Sequence, residues 1–282
     1  MIERIYIPTI RRFDKQFTFE NLPKEFQQKV IMVVESAERP LYKYDCEYLE
    51  LPNEIVGSWT QLSQTRKFIH QHAGKIKYAM IDDDIIVYKR NVKYFNEAPD
   101  MDVSKRKATL EEVTRLFIQA SDWLDEPDIG IVGLSEAWQP PANTKYSDTK
   151  GAYGIVFIDG KKTSKIIDNL DTSTRVAEDL LFLFECLSNG INTRIDNEFL
   201  WINKSESKEL SGKRPIWEEI SDSTTKNIFQ VKEHYDILYY IQKKFPEGIT
   251  IFEKDGIMKN VKHWKKVYKS SNQSSLGKFF DD

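Results

Sequence analysis

The chain is poor in cysteine, in histidine and in long apolar runs. Its 282 residues hold two cysteines, Cys46 and Cys186, and four histidines. Two distant thiols cannot make the dense framework of a small secreted domain, and a chain of this length buries a sizeable core without staples. Reduced thiols are expected. Zinc spacing is missing too: His70 and His72 stand two apart near a predicted helix end and are expected at the surface. No run approaches the ~18 apolar residues of a membrane span. The longest, Val30 to Val34 and Ile155 to Ile158, are strand-sized. The opening MIERIYIP places charge where a leader peptide has its apolar core. A cytoplasmic location with no membrane partner is therefore expected.

Charge of one sign is lacking as well. Lys and Arg number 41 and Asp and Glu 44, for a net charge of −3. That balance does not announce a nucleic-acid partner, although it leaves room for segregated charge. Residues 1–203 carry 26 basic and 32 acidic groups, whereas residues 204–282 carry 15 and 12. Within the tail, 254–269 holds six lysines and one aspartate, which fits a solvated helix face or a phosphate-contacting surface. Phosphate-binding glycine loops are missing. GIVFIDGKK (154–162) has the wrong spacing for a Walker loop and a Lys where Ser or Thr belongs, and no Rossmann glycine pattern occurs.

What is present is alternation. RIYIP, KVIMVVES, YLELP, DIGIVGLS, AYGIVFID and TRIDNEFLWIN read as strands. Residues 58–73, 174–189 and 230–244 read as helices, with a further helical patch at 258–270. Thr109 followed by Glu112 is a capping box for another helix. Residues 91–108 and 138–151 read as loops, the second broken by Pro140 and Pro141. This order predicts an α/β protein, a three-layer α/β/α sandwich on a mixed, mostly parallel sheet. No linker interrupts it. One domain over 1–282 is expected, with a nucleotide-binding half at 1–90, an acceptor half at 91–205 and a tail or lid at 206–282. Within that tail, SKELSGKRP (207–215) suits a lid.

The chemistry concentrates at KYAMIDDDIIVYKR (77–90), where three aspartates sit between apolar strands. Adjacent carboxylates repel by on the order of 1 kcal/mol per pair at surface-like dielectric. A hard divalent cation, Mg²⁺ or Mn²⁺, removes that cost. On an extended chain Asp82 and Asp84 would point together and Asp83 oppositely. A metal held by aspartates without a protein phosphate loop usually bridges to substrate phosphates, which implies transfer from a nucleotide-activated donor. A second acidic pair, Glu178 and Asp179, opens a predicted helix. Helix-dipole stabilisation alone accounts for acids there, and so does catalysis.

The order strand with YIPTIRR, strand with VIMVVES, helix with TRK, then apolar–DDD–apolar resembles the GT-A class of nucleotide-sugar glycosyltransferases. More narrowly, IPTIRR, GSWTQLSQTRKFI and YAMIDDDIIVYKR resemble the phage TET-associated glycosyltransferases, thought to add sugars to hydroxymethylated pyrimidines in DNA. The resemblance implies that Asp84 ligates the metal, with Asp82 and His263 completing it. It implies that Asp82 and Asp83 contact the donor, that Thr9 and Arg11 line the nucleoside pocket, and that Arg66 reaches the diphosphate or sugar. Ala177-Glu178-Asp179 matches a pattern in which Asp179 is the general base of an inverting transfer, with Glu178 in reserve. Trp59, Trp138, Tyr153 and Trp201 are candidate acceptor-site aromatics, Trp201 being better suited to the core. The expected reaction is metal-dependent sugar transfer from a UDP-sugar to a hydroxymethylpyrimidine in DNA. Rival readings are a GT-A enzyme acting on a glycan or small hydroxyl compound, a nucleotidyltransferase, and a non-catalytic nucleotide-sugar or DNA-binding protein.

Overall fold

In the first strand, Ile5 and Ile7 face one side of a sheet while Tyr6 faces the other, and all three are buried. That two-sided burial is why the strand reads as a continuous apolar run rather than an alternating one. A computed structural model describes residues 1–58, 60–95, 98–139, 144–174, 177–204, 232–254 and 257–268. In chain order, β1 (Arg4–Pro8) leads to two short helices, α1 (Phe17–Glu20) and α2 (Lys24–Gln27). Then come β2 (Val30–Glu35), β3 (Glu47–Leu51), α3 (Gln61–Ala73), β4 (Lys77–Ile81), β5 (Ile85–Phe95) and β6 (Ala98–Lys107). The chain continues with α4 (Leu110–Trp123), β7 (Ile129–Glu136), β8 (Tyr146–Asp148), β9 (Ile155–Asp159), α5 (Gly160–Asp168), α6 (Glu178–Ser188) and β10 (Asn192–Asn203). It closes with α7 (Lys232–Lys244), β11 (Ile249–Lys254) and β12 (Ile257–Lys262).

The main sheet runs β3-β2-β1-β4-β9-β7-β10-β5-β6, with β8 added to β10. Strands β3, β2, β1 and β4 are mutually parallel. β9 is antiparallel to both β4 and β7, so β7 runs in the direction of β4, and β10 runs parallel to β7. The carboxyl ends of β1, β4 and β7 therefore emerge at one edge, the place where open α/β sheets gather ligands.

Two cores sandwich this sheet. On one face Ile5, Ile7, Ala79 and Ile81 meet Phe26 of α2 and Val113, Leu116 and Phe117 of α4. Phe26 stacks on Phe117 at 4.3 Å, and Phe117 meets Phe157 edge-on at 4.9 Å. Each such ring contributes about 1.5–3 kcal/mol by burial. On the other face Tyr6, Tyr78 and Met80 pack against Ile69 and Ala73 of α3, Ile167 of α5 and Phe182 and Leu183 of α6. The three-layer α/β/α arrangement expected from the sequence is thus the observed one. A third cluster joins the remaining face of α6 (Leu180, Leu181, Phe184, Leu187) to Tyr235, Leu238 and Ile241 of α7, Ile249 and Val267. The capping box forms as read: Thr109 Oγ1 accepts from the Glu112 N–H, and the Glu112 carboxylate accepts from the Thr109 N–H.

Several elements differ from expectation. Residues 91–95 and 98–107 belong to the paired strands β5 and β6 rather than to a loop, since register pairing supplies the order that their polar sequence does not advertise. α5 follows β9 directly, its start capped by Asp159 accepting from the Lys161 and Lys162 N–H groups. The basic stretch 254–269 is not one helix: its first half is β12. His70 is buried beneath α3, donating to or accepting from Tyr78, and burial pushes its pKa down to about 3. Trp59, Pro140, Pro141 and the 207–215 segment lie outside the described residues.

Candidate active site

The three aspartates do not continue a strand. β4 ends at Ile81, and Asp82 to Asp84 form a turn before β5. Thr18 of α1 pins that turn: its hydroxyl donates to the Asp82 carbonyl at 2.5 Å and accepts from the Ile85 N–H at 2.9 Å. Strand alternation therefore does not apply, and the side chains divide differently from the expected pairing of Asp82 with Asp84. Asp83 and Asp84 turn inward together. Arg12 Nη2 lies 2.9 Å from Asp84 Oδ2, and Arg12 Nη1 lies 3.3 Å from Asp83 Oδ1. Thr9 Oγ1 donates to Asp83 Oδ2 at 2.7 Å and is itself bonded by Gln16 Nε2. The Asp84 side chain is 0% exposed, whereas that of Asp82 is 28% exposed. The repulsion within the aspartate run is met by arginines, one shared by Asp83 and Asp84 and another on Asp82.

That second arginine is Arg66, at mid-length on α3. Its Nη2 lies 3.3 Å from Asp82 Oδ1 and its Nε 2.8 Å from Glu178 Oε1. Arg66 thus draws α3, the aspartate turn and the start of α6 into one cluster. Ala177, just before Glu178, adopts the left-handed conformation with φ 58°. A non-glycine residue held there costs on the order of 1–2 kcal/mol, and such outliers gather at functional sites. The turn it makes aims Glu178 and Asp179 into the cluster. Burial is the main force raising the Glu178 carboxyl, and Arg66 opposes it. Burial likewise raises Asp179, against Arg66, the Leu180 N–H bonded to its Oδ1, and Lys262.

Asp179 has further neighbours that the sequence did not disclose. Glu136, the last residue of β7, feels both Asp179 and Lys262, and burial raises its carboxyl. Lys262, the last residue of β12, faces Asp179 and Glu136, and burial lowers its ammonium. Tyr153 feels both Asp179 and Glu136, and its hydroxyl is buried and without a hydrogen-bond partner among the described residues. A cavity at this point is lined by Arg66, Tyr153, Gly154, Glu178 and Asp179. Gly154, at φ +67°, must be glycine: a Cβ there would stand 2.9 Å from the Trp201 ring. Its carbonyl accepts the Asp82 N–H at 3.0 Å. Trp201 is buried, as expected of a core residue. Trp138 is 67% exposed and meets Trp201 edge-on at 5.6 Å.

The structure therefore brings Arg66, Asp82, Glu178 and Asp179 together, with Thr9, Asp83 and Asp84 in an adjoining buried network. Arg11 is elsewhere directed. Its φ is 55°, its side chain is exposed, and its N–H donates to Glu38, while Arg12 takes the inward position. His263 bonds Thr250 Oγ1 through Nε2 at 2.8 Å on the β11–β12 hairpin, and its neighbour Lys262 is the residue that faces the carboxylates. Among the described residues, no group of three or more His, Cys, Asp and Glu side chains forms a cation cage. The donors left for a cation are the partly exposed Asp82 carboxylate and Asp84 Oδ1, which is buried with no hydrogen-bond partner among the described residues. One or two carboxylates, with substrate phosphates completing the shell, is the manner in which Mg²⁺ is usually bound. The donor set fits such a shared site and not a self-contained one.

No curated protein matches the chain. Among solved structures it is similar to Staphylococcus aureus TarS (residues 1–349), with 11% identity, a TM-score of 0.43, and coverage of 71% of this chain and 59% of that one. It therefore spans under two thirds of the TarS structure. It is also similar to a UTP-bound UGPase from Acinetobacter baumannii, with 10% identity, a TM-score of 0.38, and coverage of 72% and 88%. The family model for TET-associated glycosyltransferases matches residues 3–212, which contain every element that builds the site except the strand carrying Lys262. On the match over residues 3–212, the chain belongs to the TET-associated glycosyltransferase family.

Proposed function

We propose that the protein transfers a sugar from a UDP-sugar to the hydroxyl of a hydroxymethylpyrimidine in DNA, with a divalent cation assisting departure of the nucleoside diphosphate. The observation that carries this reading is the Arg66 cluster. A buried guanidinium joins Asp82, at the mouth of the aspartate turn, to Glu178 beside Asp179. Glu178 is committed to Arg66, which leaves Asp179 as the carboxylate with no ion-pair contact among the described residues to take the acceptor proton. An acid at this point of a buried cleft with a raised pKa suits a general base near neutral pH. Asp82 and Asp84 are the groups that would hold the cation, which supplies charge for the leaving phosphates when bound. Thr9 and Gln16 keep Asp83 in place and thereby fix the turn on which Asp82 stands. If Asp179 is the base, attack at the anomeric carbon is direct and inverts it.

The test is a panel of UDP- and GDP-sugars scored by nucleotide release, with hydroxymethylated duplex, unmodified duplex, a free glycan and no acceptor. Release that requires the hydroxymethylated duplex supports the reading. Release with a glycan alone assigns the acceptor elsewhere. Nucleotide binding without release under every condition assigns a binding role. D84A should bind Mn²⁺ more weakly by calorimetry and lose metal-stimulated release while its circular dichroism is unchanged. Full release by D84A, or by wild type in excess chelator, counts against the cation.

A further inference from the structure

β11 and β12 pair with each other and with no other strand among the described residues. They form a two-stranded antiparallel ribbon with register Ile249↔Lys262 at its root and Lys254↔Ile257 towards its tip. Burial grades along it. Ile249 belongs to the third core, whereas Phe252, Glu253, Lys254 and Lys259 are exposed. The root is fixed beside the cleft. Trp264 packs on Phe184 of α6 at 4.8 Å and on Tyr153 at 6.5 Å, and Lys262 faces Asp179 and Glu136. At six residues per strand the ribbon reaches about 20 Å.

The charge exposed on the ribbon and just after it is mostly positive: among the described residues four lysines stand against one carboxylate, Glu253. Elsewhere many cations are paired: Lys77 with Asp125, Lys89 with Glu112 and Glu198, Arg106 with Glu112, Lys244 with Glu185. Lys254 and Lys259 on the ribbon, and Lys265 and Lys266 just after it, are exposed and have no ion-pair partner among the described residues. A ribbon with four exposed lysines against one carboxylate offers a polyanion a local attraction that the net charge of −3 does not. The major groove of B-DNA, about 12 Å wide, admits a two-stranded β-ribbon.

We propose that the β11–β12 ribbon is a docking arm for duplex nucleic acid, with Lys254 and Lys259 on backbone phosphates flanking the groove and Lys265 and Lys266 on phosphates nearer the cleft. The inference rests on the reading that the acceptor is DNA. It adds a recognition element that lies outside the family-matched segment. The contacts are to phosphates, so the arm binds hydroxymethylated and plain duplexes alike. Modification is read at the cleft.

The experiment compares wild type with K254A/K259A, using fluorescence anisotropy of a labelled 30-base-pair duplex, plain or hydroxymethylated, from 50 to 300 mM NaCl. The double variant should lose about tenfold in affinity at 100 mM NaCl, and its log Kd against log [NaCl] slope should fall by about two, for both duplexes. Its melting temperature and its affinity for UDP should match wild type. An unchanged slope and Kd overturn the arm. So does a wild type that binds no duplex at 50 mM NaCl, or one that binds only vesicles rich in anionic lipid. A wild type that binds duplex through these lysines but transfers no sugar to it sinks the acceptor reading and leaves the arm standing. Equal transfer to DNA by wild type and variant, with equal Kd, does the reverse.

Discussion

Arg66 Nε lies 2.8 Å from Glu178 Oε1, so a helix of the first half of the chain is tied to the start of one from the second half by a buried ion pair. The pair forms between residues 112 positions apart and stands at the cavity wall. Removing one partner strands the other charge, which costs about 3–5 kcal/mol, whereas replacing both by apolar groups is often neutral. R66M should therefore be destabilised by about 3 kcal/mol in urea melts, and R66M/E178M should recover most of that. Activity should be lost in both, because the recovered fold still lacks the cation facing Asp82. Equal stability of R66M and wild type would show that the pair carries no structural weight.

Much of the order of strands and helices was legible because strands such as β2 and β9 are unbroken apolar runs and helices such as α4 are periodic. The aspartate run was legible as a site, but its internal geometry was not. Whether Asp82, Asp83 and Asp84 continue a strand or make a turn depends on Thr18, 64 residues away from Asp82, whose hydroxyl fixes the turn. The choice of Arg12 over Arg11 as the inward arginine depends on a left-handed residue at Arg11 that no local signal announces. Glu136 and Lys262 were invisible for a similar reason. Each is an ordinary charged residue at a strand end, and only the sheet order and the seating of Trp264 against Tyr153 and Phe184 bring them to Asp179. The capping box at Thr109 was read correctly because its whole cause is local.

Asp196 gives a stability prediction apart from catalysis. It is fully buried where β10 bulges, and Oδ1 accepts the N–H groups of Glu198 and Phe199 while Oδ2 accepts from Gln119. Burial raises its pKa to about 7. The folded state thus holds this proton more tightly than the unfolded chain, whose carboxyl titrates near 4. Its contribution to stability is present below pH 4 and is lost as pH rises towards 7, by at most ~4 kcal/mol. D196N cannot ionise and keeps an oxygen for the two N–H groups. Urea-melt stability of D196N minus wild type should rise between pH 4 and 7. A flat difference would mean that Asp196 titrates normally.

Lys262 predicts a shift in a pH profile. With Arg66, its ammonium opposes the burial that raises Asp179. Removing it raises the carboxyl further, so the base proposed at Asp179, which must be ionised, would become active only at higher pH. The acid limb of kcat/KM for K262M should move up by roughly one unit, with a deficit of about tenfold at low pH that closes on the alkaline side. K262R should restore the wild-type limb. A loss independent of pH would place Lys262 on a substrate phosphate instead of on Asp179.

The proposed acceptor reading makes a prediction at Trp138. Its indole is 67% exposed, yet it is held edge-on against the buried Trp201, a core residue that also abuts Gly154 beside the aspartate turn. An exposed ring supported by a fixed one is a stacking platform, and a base stacked on an aromatic gains about 1–3 kcal/mol. Truncation removes little buried area, so W138A should melt within 1–2 °C of wild type, about the shift expected of a near-neutral surface change. Its KM for the acceptor should rise by about tenfold or more, its KM for the nucleotide sugar should stay unchanged, and W138F should fall between the two. Steady-state kinetics with each substrate varied in turn separates these effects. If W138A raised the donor KM and left the acceptor KM alone, the indole would belong to the nucleotide side of the cleft, and an acceptor base would need its stacking partner elsewhere.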